Sequence, residues 1–163
     1  MARTDGNRRR ATDSVRRTTI AGELRDTVST RLRETGQRLT ANRETIVAVL
    51  AAADRPLTIP DILGAGDGLA QSSVYRNLLV LEQAAVVRKV VTHDEFAYFE
   101  LAEELTEHHH HLICSSCGSV EDVPASAGLE RSLRTAMDEI ARTTGFHADG
   151  HRIDLVGLCR RCA

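Results

Sequence analysis

Aromatic residues are scarce in this chain: three phenylalanines, two tyrosines and no tryptophan among 163 residues. With so few bulky rings to bury, two modules of roughly 60 residues each need stability from another source, such as a structural metal or a partner subunit. Long apolar runs are missing too. No stretch of about 18 apolar residues is present to cross a bilayer, and the N-terminus is too rich in arginine to form the apolar centre of a signal peptide. A soluble, unexported, cytoplasmic protein with no membrane partner is expected. Cysteine is limited to four residues, expected in such a compartment as reduced ligands rather than disulfides. No internal repeat is visible, nor any low-complexity block beyond one run of histidines.

The charge that is present is unevenly placed. The net value is −2, but residues 1–50 carry eleven arginines against six acids, and the remainder is acidic. Arg8, Arg9, Arg10, Arg16 and Arg17 lie in a segment without apolar periodicity, so residues 1–20 read as a flexible arm, either solvated or in contact with a polyanion.

Beyond the arm, Leu24, Val28 and Leu32 recur at helical spacing and Gly36 is a natural stop. A second helix carries Ile46, Val47, Val49 and Leu50, with Thr40 as its cap. Pro60 suits the first turn of a short helix through Ile62 and Leu63, which Gly64 to Gly68 break. Ser72 or Ser73 is placed to cap the next helix, where Val74, Leu78, Leu81 and Ala85 share one face while Tyr75, Arg76 and Leu79 lie off it. Then β-branched runs at Val86–Val87 and Val90–Val91, a turn at His93-Asp94-Glu95 and a run from Phe96 to Leu101 read as a hairpin. Helices followed by a hairpin make a winged helix-turn-helix, a module that lays a helix in the major groove of DNA. An acidic link follows, then strands at 108–114 and 119–123, a helix with Leu129, Leu133, Met137 and Ile140 on one face and Gly145 at its end, and a closing strand over 151–158.

All four cysteines fall in two Cys-x-x-Cys pairs, Cys114/Cys117 and Cys159/Cys162. A tight turn at a strand end brings both thiolates of such a pair to one tetrahedral metal at about 2.3 Å, and four thiolates favour Zn2+. A redox dithiol lacks the surrounding pattern it needs. Directly before the first pair stand His108, His109, His110 and His111. Side chains alternate along a strand, so His108 pairs with His110 and His109 with His111, and one strand has the means to serve two metal sites.

These residues, taken with Arg38 to Arg43, Ser73 to Leu78, Phe99-Glu100-Leu101, Leu112 to Gly118 and Gly157 to Cys162, resemble the ferric-uptake-regulator (Fur) family of metal-responsive transcription regulators. The similarity runs in order over about residues 30–162. It implies an α+β chain: a winged helix-turn-helix over residues 21–101, a hinge at 102–107 and an α/β dimerisation domain over 108–163 with a four-cysteine structural zinc. It further implies a regulatory site with Glu100, His109 and His111 and a second site with His108, His110, His151 and a helix carboxylate. Ser73, Tyr75 and Arg76 would meet the major groove and Arg38 the minor groove.

The sequence departs from the family pattern at two ligands. Pro56 and Leu57 stand where a histidine is often found, so His93 is the candidate replacement, ahead of Asp122. The helix carboxylate is displaced, and Glu130 is taken in its place. Glu at position 100 leans toward ferrous iron and the all-histidine run toward zinc, and Mn2+ also suits such ligands. The function expected is a metal-dependent repressor of metal-homeostasis genes, a homodimer on a palindromic operator with no small organic substrate. Two rivals are weighed against it. A zinc hydrolase would need an open coordination position and a placed general base, which the sequence does not display. A zinc-stabilised DNA-binding module without sensing would show no effector-dependent affinity.

Overall fold

Apolar spacing winds the first half of the chain into four helices. The computed structural model describes residues 21–90, 92 and 97–163; the expected arm at 1–20, the hairpin turn His93-Asp94-Glu95 and the candidate ligand His93 lie outside them. Helix α1 (Gly22–Glu34) buries Val28 and Leu32. Helix α2 (Ala41–Ala51) buries Ile46, Val47, Ala48 and Leu50. Thr40 stands at its N-cap, but the hydroxyl makes no capping bond, contrary to expectation.

A two-residue strand, β1 (Leu57–Thr58), leads into helix α3 (Ile59–Ala65). Thr58 and Asp61 close a reciprocal capping box at this helix start, with Pro60 in its first turn. Helix α4 (Gln71–Gln83) begins one residue before the expected serine caps, with Ala70 at its N-cap. Ser73 is inside the helix instead, where its Oγ accepts hydrogen bonds from Asn42 at 2.9 Å and Asn77 at 3.0 Å. Val74, Leu78 and Leu81 are buried as the periodicity required. Ala85 is not: the helix has ended, Ala85 takes φ 53° and is exposed, and Ala84 is buried in its place.

Strands β2 (Val87–Val90) and β3 (Tyr98–Leu101) pair antiparallel, and β1 joins the far edge of β3 to give the order β1-β3-β2. Burial on this sheet and the four helices produces one apolar core that includes Val28, Leu32, Ile46, Ile62, Leu78 and Val86. A short 3-10 turn, Glu103–Leu105, occupies the acidic link.

The chain divides into two compact units between Thr106 and Glu107. In the second, strand β4 (His109–Cys114) pairs antiparallel with β5 (Val120–Pro124) and parallel with β6 (Asp154–Gly157), in the order β5-β4-β6. A parallel neighbour needs a long crossover, which β5 and helix α5 (Ala127–Thr144) supply. Gly145 ends α5 in the left-handed conformation, φ 75°, a geometry glycine adopts without steric cost. The closing strand is shorter than the expected 151–158, and His151 precedes it. Little of this unit is buried in a single chain: Ile113, Cys114 and Val120 are the buried apolar residues, and none in α5 or β6 is.

Candidate metal centres and nucleic-acid face

Strands β4, β5 and β6, the turns beside them and helix α5 gather the ligand-bearing residues of the second unit. Cys114 closes β4, Cys117 lies in the turn after it, and β6, pairing Gly157 with Cys114, delivers Cys159 and Cys162 beside them. The four sulfurs lie within 4.8 Å of one another. A tetrahedral zinc with bonds of about 2.3 Å requires neighbouring sulfurs about 3.8 Å apart, and Cys117 Sγ and Cys159 Sγ are separated by 3.8 Å. The backbone N–H of Cys159 donates to Cys114 Sγ at 3.3 Å. That bond and the N–H groups of Cys117 and Ser116 favour the thiolate and bring the Cys114 pKa down to about 6. Cys162 moves the opposite way. A bond from Ser116 favours its thiolate, but the neighbouring sulfurs of Cys159, Cys117 and Cys114 and burial outweigh it and push the pKa up to about 11. Four thiols packed this closely cannot all ionise alone, and a divalent cation among them resolves the conflict. The cysteines fit a structural zinc.

The alternation of β4 separates the histidines. On one face, His108 Nε2 lies 3.2 Å from His151 Nε2, and Glu130 Oε2 lies 3.4 Å and 3.3 Å from the same two nitrogens. A tetrahedron with zinc–nitrogen bonds of about 2.1 Å has edges of about 3.4 Å. His110 Nε2 completes the cluster, 2.9 Å from Glu130 Oε1. Glu130, displaced in sequence, is therefore brought to all three histidines from the first turn of α5. Burial works against its charge, but the hydrogen bond to His110 and the nearby His151, His108 and His110 overcome that and hold its carboxyl below the ordinary range.

On the other face, His109, His111 and Asp122 each offer a ligand atom within 4.8 Å of the others. Asp122 Oδ2 is 3.9 Å from His109 Nε2, and its Oδ1 is 3.8 Å from His111 Nε2. Asp122 reaches them because β5 pairs it with His111. Asp122, the second choice after His93 for this ligand, stands beside both histidines, and His93 lies outside the described residues. Two further partners escaped the sequence reading altogether: Asp154, whose Oδ1 lies 3.1 Å from His111 Nδ1, and Arg88, directly across the sheet from Glu100 in the first unit and ion-paired to its carboxylate. Both depend on strand register, which no local spacing announces. Glu100 itself is buried in β3.

The first unit presents a different chemistry. On α4, Tyr75 is 55% exposed and Arg76 is exposed beside it. Arg43 ties this helix to the segment before α2, donating to Asn77 Oδ1 at 3.1 Å, to Gln37 Oε1 at 3.1 Å and to the carbonyl of Arg38. Arg38 is thereby anchored through its backbone while its side chain remains exposed.

The sequence pattern of the Ferric uptake regulator family matches residues 34–156. The chain belongs to the ferric uptake regulator family. A peroxide operon regulator of Bacillus subtilis is 31% identical over 147 residues, spanning 88% of this chain and 95% of the relative. Among solved structures, the Helicobacter pylori ferric uptake regulator superposes with a TM-score of 0.70 at 23% identity, over 90% of this chain and 95% of that one. The Pseudomonas aeruginosa regulator, solved with manganese, gives 0.62 at 27% identity, over 80% and 96%. The family fold is thus the α+β arrangement described above, a DNA-reading winged helix and a metal-binding α/β unit. Among the described residues no helix is long and apolar enough to cross a membrane.

Proposed function

We propose that this chain is a metal-responsive DNA-binding repressor that acts as a homodimer on a palindromic operator. The observation that carries the reading is the contrast between the ligand clusters: four cysteines suit a closed structural zinc, whereas the two histidine and carboxylate clusters suit exchangeable metal. In this reading the regulatory site uses His109, His111 and Asp122, with Glu100 and His93 assigned to it on the family resemblance. His108, His110, Glu130 and His151 form the second site. Ser73, Tyr75 and Arg76 face the major groove and Arg38 the minor groove. Metal at the regulatory site favours the arrangement that spaces two copies of α4 for one operator. A tenfold gain in DNA affinity needs about 1.4 kcal/mol of coupling, within reach of a few metal bonds made in one arrangement only.

The sensed ion is zinc or ferrous iron, with manganese supported by the related regulator solved with it. A peroxide input is a second reading, favoured by the B. subtilis relative.

The test is metal content of the purified protein before and after mild chelation, with binding to the promoter of its own gene at each stage. One retained zinc per chain and a removable metal that restores binding are expected. DNA binding indifferent to the removable metal would leave a zinc-stabilised DNA-binding module. Loss of binding on peroxide treatment of the iron-loaded form that fresh ferrous iron in a reductant does not restore, with the zinc-loaded form unaffected, would select the second reading.

A further inference from the structure

The two histidines of the proposed regulatory site are held from behind by different groups. His109 Nδ1 lies 2.8 Å from the backbone carbonyl of Glu107, and a carbonyl oxygen only accepts, so this nitrogen carries the proton. His111 Nδ1 lies 3.1 Å from Asp154 Oδ1, and an ionised carboxylate likewise only accepts. In each neutral ring Nε2 is then the lone-pair nitrogen, and it is Nε2 of both rings that faces Asp122. The tether of His109 is a neutral dipole. That of His111 is a full negative charge, delivered by the parallel pairing that sets Asp154 opposite His111, while the backbone N–H of His111 donates to the carbonyl of Ile153. His111 is also the more deeply buried ring, its side chain 3% exposed against 14% for His109, so its orientation is the less free to change.

The geometry points to Asp154 as a positioning residue: it fixes the Nδ1-protonated tautomer of His111, aims Nε2 at the metal position and makes that nitrogen a stronger donor. A carboxylate behind a ligating imidazole raises the basicity of the ligand and presets its direction, and removal of such a partner weakens metal binding about 10- to 100-fold. The inference rests on the reading of His109, His111 and Asp122 as a regulatory metal site. Asp154 stands on β6, which gives that strand a part in tuning metal affinity.

The experiment measures Zn2+ affinity by chelator competition on the full chain with its four-cysteine zinc in place, in a His110→Ala, His151→Ala background that silences the second cluster. Asp154→Ala is expected to weaken binding about 10-fold or more, and Asp154→Asn, whose amide oxygen still accepts the N–H, by much less. In parallel, nitrogen-15 NMR of the otherwise unsubstituted, metal-free regulatory site should report His111 protonated at Nδ1, and Asp154→Ala should release it to a mixture of tautomers. If His109→Ala and His111→Ala weaken binding while Asp154→Ala leaves it unchanged, the role of Asp154 is overturned and the site stands. If the histidine variants bind Zn2+ as tightly as the parent, the site itself falls. Should Asp154→Ala fail to fold, Asp154→Asn and the tautomer of His111 in the parent chain decide, and protonation at Nε2 overturns the inference.

Discussion

Asp61 does two jobs with one carboxylate. Its Oδ2 accepts from the backbone N–H of Thr58 at 3.0 Å and from the Thr58 hydroxyl at 2.8 Å, and Arg55 lies 3.4 Å away. Burial opposes its charge, but the bonds from Thr58 and the Arg55 guanidinium prevail and hold the carboxyl below its ordinary value of 3.8. A group depressed on folding lends stability that is complete above its unfolded value and is lost as pH falls through the folded one. Asp61→Ala is therefore expected to destabilise the first unit by about 1 kcal/mol near neutrality, with the difference from the parent shrinking as pH drops below 3.8. Denaturation followed by tyrosine fluorescence measures this cleanly, because both tyrosines, Tyr75 and Tyr98, lie in the first unit. A difference that persists undiminished at low pH would assign the effect to the helix start rather than to the charge. The residue scale also holds a limit to sequence reading. Ser72 and Ser73 are better caps than Ala70 by chemistry, yet packing of Val74, Leu78 and Leu81 sets the helix phase and Ser73 is drawn into bonds with Asn42 and Asn77.

Among the elements, β4 is where local pattern and tertiary structure agree most closely. Strand parity alone divides His108 and His110 from His109 and His111, and the ring pairs follow it, with centroids 5.0 Å and 5.3 Å apart. A single alanine inserted between His111 and Leu112 would move the histidines to the opposite faces of the strand relative to its C-terminal end. The expected result is loss of tight binding at both histidine clusters with the four-cysteine zinc retained, as read by metal content after dialysis. Retention of both exchangeable metals would show that the loop before β4 absorbs the shift. The four cysteines were equally legible, since spacing defines each pair. What the sequence did not disclose depends on register between segments far apart. Asp122 and Asp154 meet His111 only because β5 and β6 pair with β4 as they do. The two-residue β1 was invisible for a similar reason, its existence resting on Leu57 and Thr58 pairing with Phe99 and Tyr98. The apolar face of α5 is legible from its periodicity, but what covers it is not. In a single chain Leu129 and Ile140 remain 38% and 46% exposed.

At the scale of the molecule, those exposed apolar residues belong to a pattern. Leu155, Val156 and Leu158 are each more than half exposed along and after β6, and Leu112, the register partner of Leu155, is 38% exposed. A monomer rarely leaves such a surface to water, and a second copy of the chain is the occupant that a homodimer supplies. Leu155→Glu is expected to shift the protein to monomer in size-exclusion chromatography with light scattering and to weaken operator binding about 100-fold or more through loss of the two-site attachment. An unchanged dimer would place the contact elsewhere. The first unit has a core of its own and the second has little, and that difference bears on the four-cysteine site. Cys114 and Cys159 are 45 residues apart in the chain, so a zinc bound to both turns β5, α5 and β6 into a closed ring. In polymer terms the ion is a cross-link that removes conformations from the unfolded chain, worth about 4 kcal/mol for a loop of that length by the relation used for covalent bridges. A chelator strong enough to take this zinc should therefore unravel the second unit as judged by circular dichroism while the tyrosine signal of the first stays native. The cysteines make a knot in the string, and the thinly packed unit keeps its shape because its ends are tied.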